Sequence, residues 1–129
     1  MVASKVLQPP KVEDGYVSQE SIQEFFSQLY DTPPQLQRHL DNVYSRLLSA
    51  TWYGTLALGV RCQKCHKNMK AASCLHRNSV LGHWGKEERR HMEISVSDLR
   101  ELSLDQFKIG TKHTGAAAYE DFELLRSYL

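Results

Sequence analysis

Three cysteines and one histidine form a compact cluster of metal-ligand residues in this sequence. All three cysteines lie between residues 62 and 74, and His76 follows the last of them. Cys62 and Cys65 have Cys-x-x-Cys spacing, which on a tight turn directs two thiolates at one cation. Cys74 and His76 are two residues apart, so in an extended segment they share a face and can supply two further ligands. The spacing predicts a structural Zn²⁺ held by Cys62, Cys65, Cys74 and His76.

The pattern leaves alternatives for the cysteines and for the fourth ligand. His66, His83 and His91 are rivals to His76 for the histidine position. Cys62 and Cys65 could instead be a redox pair, although the polar residues between them are not typical of one. The odd number of cysteines and the lack of a secretory signal argue against a disulfide framework. We therefore expect an intracellular, reducing compartment, cytoplasm or nucleus.

The basic residues are concentrated around this cluster. Residues 61–90 carry eight basic and two acidic side chains, a net +6, whereas the whole chain has a formal charge of +1. Three zinc-bound thiolates leave the metal cluster itself negative, so roughly +5 remains to attract an anionic partner. Basic residues interleaved with a tryptophan favour nucleic acid, and RNA or single strands above duplex. The predicted nucleic-acid-binding residues are Arg61, Lys64, Lys67, Lys70, Arg77, Trp84, Lys86, Arg89 and Arg90.

Two other function classes compete with nucleic-acid binding. In the first, the chain is a protein-interaction adaptor, for example a regulatory or viral accessory protein, which docks a partner through helices within 18–53 or 116–129 and could form a homodimer. In the second, it is a metal-dependent hydrolase, with Glu87, Glu88 or Glu93 as base if His76 leaves a zinc position open. His91-x-Glu93 has the form of a zinc-deaminase motif, but it follows the cysteines instead of preceding them. We expect a protein that is not an enzyme.

Two local resemblances involve the same cysteines. The run from Val60 to Lys70 resembles the last part of the HNH nuclease motif, in which Cys-x-x-Cys-His follows the catalytic strands. The His- and Asn-bearing strands that come first in that family have no counterpart here, because the preceding residues have a helical pattern. A strand that enters Cys-x-x-Cys also resembles the zinc subdomains of papillomavirus oncoproteins, without their second Cys-x-x-Cys. These resemblances assign the chain to no family.

The elements that must position the cluster follow from the apolar spacing. Residues 1–16 have two consecutive prolines, a glycine and scattered charges, which is typical of a flexible arm. Helical spacing predicts helices over 19–30 and 34–53, capped at Ser18 or Ser21 and separated by prolines. His39 lies off the apolar stripe of the second helix, so we expect it to be solvated. Gly54 ends that helix.

The residues after Gly54 predict a small zinc-binding unit followed by helices. Alternating apolar residues predict a strand over 56–61, and a second strand over 91–96 that pairs with it. Ser97 is the expected N-cap of a short helix over 98–103, Ser103 with Gln106 predicts a cap for a further turn, and residues 116–129 have the spacing of a terminal helix. The sequence has no apolar run long enough to span a membrane.

The predicted fold is α+β. After the arm (1–16), a single zinc-binding domain covers 17–129. It has an N-terminal helical pair within 18–53, a zinc-stapled two-stranded segment within 55–96 and a C-terminal helical part within 97–129.

Overall fold

A computed structural model describes residues 7–30, 32–68, 91–110 and 116–129. The chain is α+β, as the sequence predicts, with a four-stranded antiparallel sheet and helices that share one hydrophobic core. The strands are β1 (Val12–Glu13), β2 (Tyr16–Ser18), β3 (Val60–Cys62) and β4 (Met92–Ser95). The helices are α1 (Gln19–Ser27), α2 (Pro33–Leu40), α3 (Arg46–Trp52), α4 (Val96–Glu101), α5 (Leu104–Gly110) and α6 (Ala116–Ser127).

The sheet has more strands than the sequence predicts. Its order is β1-β2-β4-β3, so β4 lies between β2 and β3. The predicted pairing of the two later segments is confirmed where Val60 faces Ile94 and Cys62 faces Met92. The other edge comes from the N-terminal hairpin, in which Val17 also faces Ile94. The layout therefore differs from an isolated two-stranded segment.

The N-terminal hairpin lies in the stretch that the sequence analysis assigned to a flexible arm. Asp14 and Gly15 both have positive φ, 52° and 81°. Two positive φ angles in a two-residue loop are typical of a type I′ turn, for which Asp-Gly is a strong signal. Leu7, upstream of this hairpin, is buried in the core at 8% exposure. The arm assignment therefore does not describe residues 7–16, and the Asp-Gly signal is what it overlooked.

The two predicted N-terminal helices are present with their predicted signals. The Ser18 hydroxyl accepts a hydrogen bond from the Ser21 amide at 3.2 Å, so Ser18 is the N-cap of α1. Thr32 caps α2, and Pro33 occupies its first turn, where a missing amide hydrogen costs nothing. Helix α2 runs through a π-helical turn, Asp41–Ser45, into α3. Gly54, with φ of 82°, follows the end of this long helical stretch.

The C-terminal helices confirm one predicted cap and correct another. Ser95, and not Ser97, caps α4, because the Ser95 hydroxyl accepts from the Asp98 amide while Ser97 already lies inside the helix. Ser103 and Gln106 form the expected reciprocal capping box before α5, at 2.9 and 3.1 Å. The predicted terminal helix corresponds to α6.

The two faces of the sheet have different characters. Val17, Ile94 and Val60 are cross-strand neighbours on the face that is buried in the hydrophobic core. On the opposite face, Ser18 and Arg61 flank Glu93 in the same register. Because side chains alternate along a strand, the sheet separates an apolar side from a polar side. The candidate site lies at the end of β3, where the Cys-x-x-Cys sequence begins.

Candidate functional site

The Cys-x-x-Cys sequence forms a tight turn at the end of β3, which we call the knuckle (residues 62–67). The Cys62 amide donates to the Lys67 carbonyl, and the His66 amide donates to the Cys62 carbonyl, each at 2.8 Å. His66 adopts a left-handed conformation with φ of 59°. An isolated bridge between Arg61 and Asn68 closes the hairpin on the far side of the turn. The backbone thus reverses direction within the Cys-x-x-Cys sequence.

Burial in the knuckle separates the thiols from the charged side chains. Cys62 is fully buried, and Cys65 is partly buried and packs against the same hydrophobic core. Lys64, His66 and Lys67 are exposed. Cys62 and Cys65 are thiols and do not form a disulfide. Two soft donors on the protein side of one tight turn fit half of a tetrahedral Cys₃His zinc site.

The second half of the predicted ligand set lies outside the described residues. Cys74, His76 and the rival His83 all belong to the stretch 69–90. The rivals His66 and His91 are described. Within the described ranges, no three His, Cys, Asp or Glu side chains converge closely enough to hold a metal. In the described part of the chain, neither His66 nor His91 therefore completes a three-ligand group with the two cysteines.

Arg61 is engaged inside the fold and not directed to solvent. Its Nε donates to Oε1 of Glu93 at 2.5 Å, and its Nη2 lies 3.5 Å from a carboxylate oxygen of Asp14. Its guanidinium also sits over the Tyr16 ring, 4.0 Å from the centroid. The Glu93 side chain is only 4% exposed. Arg61, a predicted phosphate contact, thus neutralises a buried carboxylate, and the same pairing occupies Glu93, one of the candidate bases.

The described part of the predicted basic surface reduces to two lysines. Lys64 and Lys67 project from the knuckle and are exposed. Apart from Arg61, the other predicted nucleic-acid-binding residues lie outside the described ranges, and they are Lys70, Arg77, Trp84, Lys86, Arg89 and Arg90. Glu87 and Glu88 lie in the same stretch. Of the nine predicted residues, the structure therefore shows two, Lys64 and Lys67, as solvent-facing cations next to the thiols.

A buried polar cluster, which the sequence analysis missed, joins the helices. His39 was expected to be solvated, but its side chain is 13% exposed and its Nδ1 contacts Oδ2 of Asp121. Its ring stacks on Tyr30 with centroids 3.6 Å apart. Tyr30 in turn donates to Oδ1 of Asp121. The signal was weak in sequence, because Asp121 is 91 residues from Tyr30 and 82 from His39, and only the docking of α6 brings it to them.

The helices that the adaptor interpretation would use have their apolar residues in the core. Phe25 and Phe26 of α1, Leu47 of α3, and Phe122 and Leu125 of α6 are all at most 1% exposed. These stripes pack the helices against one another and the sheet. In the described ranges, none of the helices combines the length and the apolar character that crossing a membrane requires.

Comparison with known proteins gives no relative from which a function could be transferred: no family, no curated protein and no solved structure matches this chain.

Proposed function

We propose that this chain is a zinc-stabilised protein that binds nucleic acid, preferably RNA or single strands, through the basic surface around its knuckle. The observation that carries the proposal is the division of the knuckle into an inward thiol side and an outward lysine side. A metal held by Cys62 and Cys65, with Cys74 and His76, would cross-link the end of β3 to the basic stretch that follows it. That stretch would then be held at a defined place beside Lys64 and Lys67.

The charge balance supports an anionic partner for this surface. Arg61 is already paired with Glu93, so it contributes little to the field outside the protein. Without Arg61, residues 62–90 still carry seven basic and two acidic side chains. A net +5 confined to one segment is the distribution expected of a phosphate-binding surface. The ligand thiolates would lower this value, and Zn²⁺ would offset most of that change.

The experiment that tests the proposal is a titration of fluorescent single-stranded and duplex RNA and DNA at two salt concentrations. Neutralising Lys64, Lys67 and Lys70 together to Gln should weaken binding. It should also reduce the slope of log K against log salt by roughly 0.7 to 0.9 per lost phosphate contact. A charge-matched control replaces Arg38, Arg46 and Lys108, which are exposed and lie outside the knuckle. The control should leave both affinity and slope close to those of the unchanged protein.

The outcomes separate a specific surface from general attraction. If the control triple lowers affinity as much as the knuckle triple, the basic surface has no special role and the proposal fails. Absence of binding at low salt, where attraction between charges is strongest, also contradicts it. Trp84→Ala should cost about 1 to 3 kcal/mol with little change in slope if a base stacks there. Native mass spectrometry with and without chelator tests the zinc separately.

A protein-binding adaptor is the second candidate, and one surface favours it. Ile109 at the end of α5 is 68% exposed, which is high for a large apolar side chain. It borders a groove of about 430 Å³ that Leu56, Leu58 and Leu102 also line. Contiguous apolar surface marks protein interfaces, so the place where Ile109 meets the leucine-lined groove is where a partner would dock. Ile109→Asp should abolish a protein interaction at this surface and leave nucleic-acid binding unchanged.

A further inference from the structure

A cavity of about 220 Å³ lies on the polar face of the sheet, between the β1–β2 hairpin, the start of α1 and the knuckle. Four carboxylates and one lysine are among its lining residues: Glu13, Glu20, Glu24, Glu93 and Lys11. Gln63, from the knuckle, also lines it. Even when the Arg61 guanidinium that pairs with Glu93 is counted, the carboxylates outnumber the cations, so the cavity is negative, whereas the adjoining knuckle surface is positive. A phosphate group would be repelled here, so the cavity is not an extension of the proposed nucleic-acid surface.

Glu93 gives the cavity a buried acceptor oxygen. Its side chain is 4% exposed; its charge is paired with Arg61, but the Arg61 hydrogen bond goes to Oε1 and leaves Oε2 to the cavity. No described group donates a hydrogen bond to Oε2, although buried carboxylate oxygens normally accept at least one. The carboxylate lies on a central strand, so its position is set by the sheet and not by a mobile loop. A donor that enters the cavity would find a preorganised acceptor.

The arrangement selects among cations. The lining carboxylates do not form a group of three that could hold a metal ion, and all of them lie within the described residues. A planar guanidinium binds best to both oxygens of one carboxylate, but Oε1 of Glu93 is already taken by Arg61. An ammonium group has three diverging donors, which suit acceptors on different walls. Lys11 shows this chemistry at the rim, where its Nζ lies 3.3 Å from Glu13 and its side chain is 73% exposed.

We propose that this cavity binds an alkylammonium group, carried by a polyamine or by a lysine side chain, with Glu93 as the buried anchor. Glu20 and Glu24, both exposed, add attraction at the rim from α1. The exposed Lys11 ammonium does not block the ligand, because its surface ion pair with Glu13 is weak. This site requires neither the metal nor the basic stretch, so it stands or falls independently of the proposed nucleic-acid binding.

The test uses the full chain, with spermidine and N-acetyl-lysine amide as separate probes in calorimetric titrations at low salt. The double variant Glu20→Gln and Glu24→Gln changes two exposed side chains, so it should fold normally and weaken binding by roughly tenfold. The control double variant is Glu101→Gln and Asp105→Asn, which makes the same charge change at exposed positions outside the cavity. It should bind as the unchanged protein does. Glu93→Gln should abolish binding, with folding checked by circular dichroism.

Each outcome bears on the proposal. Saturable binding of spermidine alone identifies a polyamine as the source, and saturable binding of the lysine probe identifies a side chain. Absence of saturable binding by both probes overturns the proposal. Equal loss of affinity in the rim and control variants also overturns it, because that result means unspecific attraction to an acidic surface. Stoichiometric binding of Mg²⁺ tighter than that of spermidine would show a metal site instead.

Discussion

The hydroxyl of Tyr30 donates a 2.7 Å hydrogen bond to Oδ1 of Asp121, 91 residues later in the chain. Asp121 lies on α6, its side chain is 4% exposed, and its other oxygen contacts His39 of α2. One buried carboxylate therefore connects the C-terminal helix to the N-terminal helical pair. Removing a buried acceptor of this kind lowers the free energy of unfolding strongly, because its partners lose their hydrogen bonds inside the protein.

Asp121→Ala should lower the free energy of unfolding by about 2 to 4 kcal/mol, since both Tyr30 and His39 are then left without a buried acceptor. Tyr30→Phe removes one of the two contacts and should cost about 1 to 2 kcal/mol. Urea unfolding followed by circular dichroism measures both values. Glu120→Ala, at an exposed position on the same helix, is the control and should change stability little. An equal effect of Asp121→Ala and Glu120→Ala would show that the cluster does not hold α6.

Alkaline pH should weaken the same cluster. Burial, together with the hydrogen bond to Asp121, raises the pKa of Tyr30 from 10.0 to about 12. The folded protein keeps a proton that the unfolded chain loses, so the Tyr30 contribution is complete below pH 10 and is lost as pH rises towards about 12. The stability difference between the unchanged protein and Tyr30→Phe should therefore shrink over this window. Burial also raises the pKa of Tyr44, which both proteins retain, so its effect cancels in the comparison. A difference that stays constant with pH would contradict the prediction.

Arg61 should contribute more to the stability of the fold than to nucleic-acid binding. Arg61→Gln leaves the buried Glu93 carboxylate without its cation and should cost about 2 to 4 kcal/mol in the free energy of unfolding. Lys64→Gln, three residues later on the exposed side of the knuckle, should cost less than about 0.5 kcal/mol. Thermal and urea unfolding of the two variants check this contrast. If Arg61→Gln folds as stably as Lys64→Gln but binds nucleic acid much less well, Arg61 contacts phosphate after all.

Zinc should be coupled to folding through the knuckle. Metal binding to a site that is absent in the unfolded chain contributes to folding free energy, on the order of 10 kcal/mol in small zinc domains. A chelator should therefore lower the melting temperature of the unchanged protein. It should have no effect on Cys65→Ala, which lacks one thiolate. Because Cys62 is also fully buried, Cys62→Ala loses packing as well, and Cys65→Ala is the cleaner variant. A melting temperature that is insensitive to chelator in the unchanged protein would contradict the proposed zinc site.

His66 and His76 should differ in their effect on metal binding. His66 has a left-handed backbone, which costs most residues about 1 kcal/mol and glycine almost nothing. His66→Gly should therefore retain one bound Zn²⁺ and change stability by about 0 to 1 kcal/mol in the favourable direction. His76→Ala should lose metal affinity, since the sequence assigns it as the fourth ligand. Zinc stoichiometry by native mass spectrometry decides between them, and loss of zinc in His66→Gly would transfer the ligand role to His66.

Much of the fold was predictable because its signals are local. The caps at Ser18 and Ser103, the proline start of α2, and the strands that contain Val60 and Ile94 all follow from residues a few positions apart or from simple alternation. The missed hairpin at Asp14 and Gly15 also had a local signal. It was overlooked because proline-rich composition was given more weight than the turn sequence.

The candidate site was predictable in part. The Cys-x-x-Cys spacing by itself determined that Cys62 and Cys65 share one tight turn, because a short loop leaves the backbone few conformations. Only the tertiary structure decided that Arg61 neutralises Glu93, that His39 is buried against Asp121, and that acidic side chains surround a cavity beside the knuckle. These contacts join residues 32 to 82 positions apart. Whether such a polar side chain is buried or solvated depends on which distant element packs over it, and neither periodicity nor local spacing contains that information.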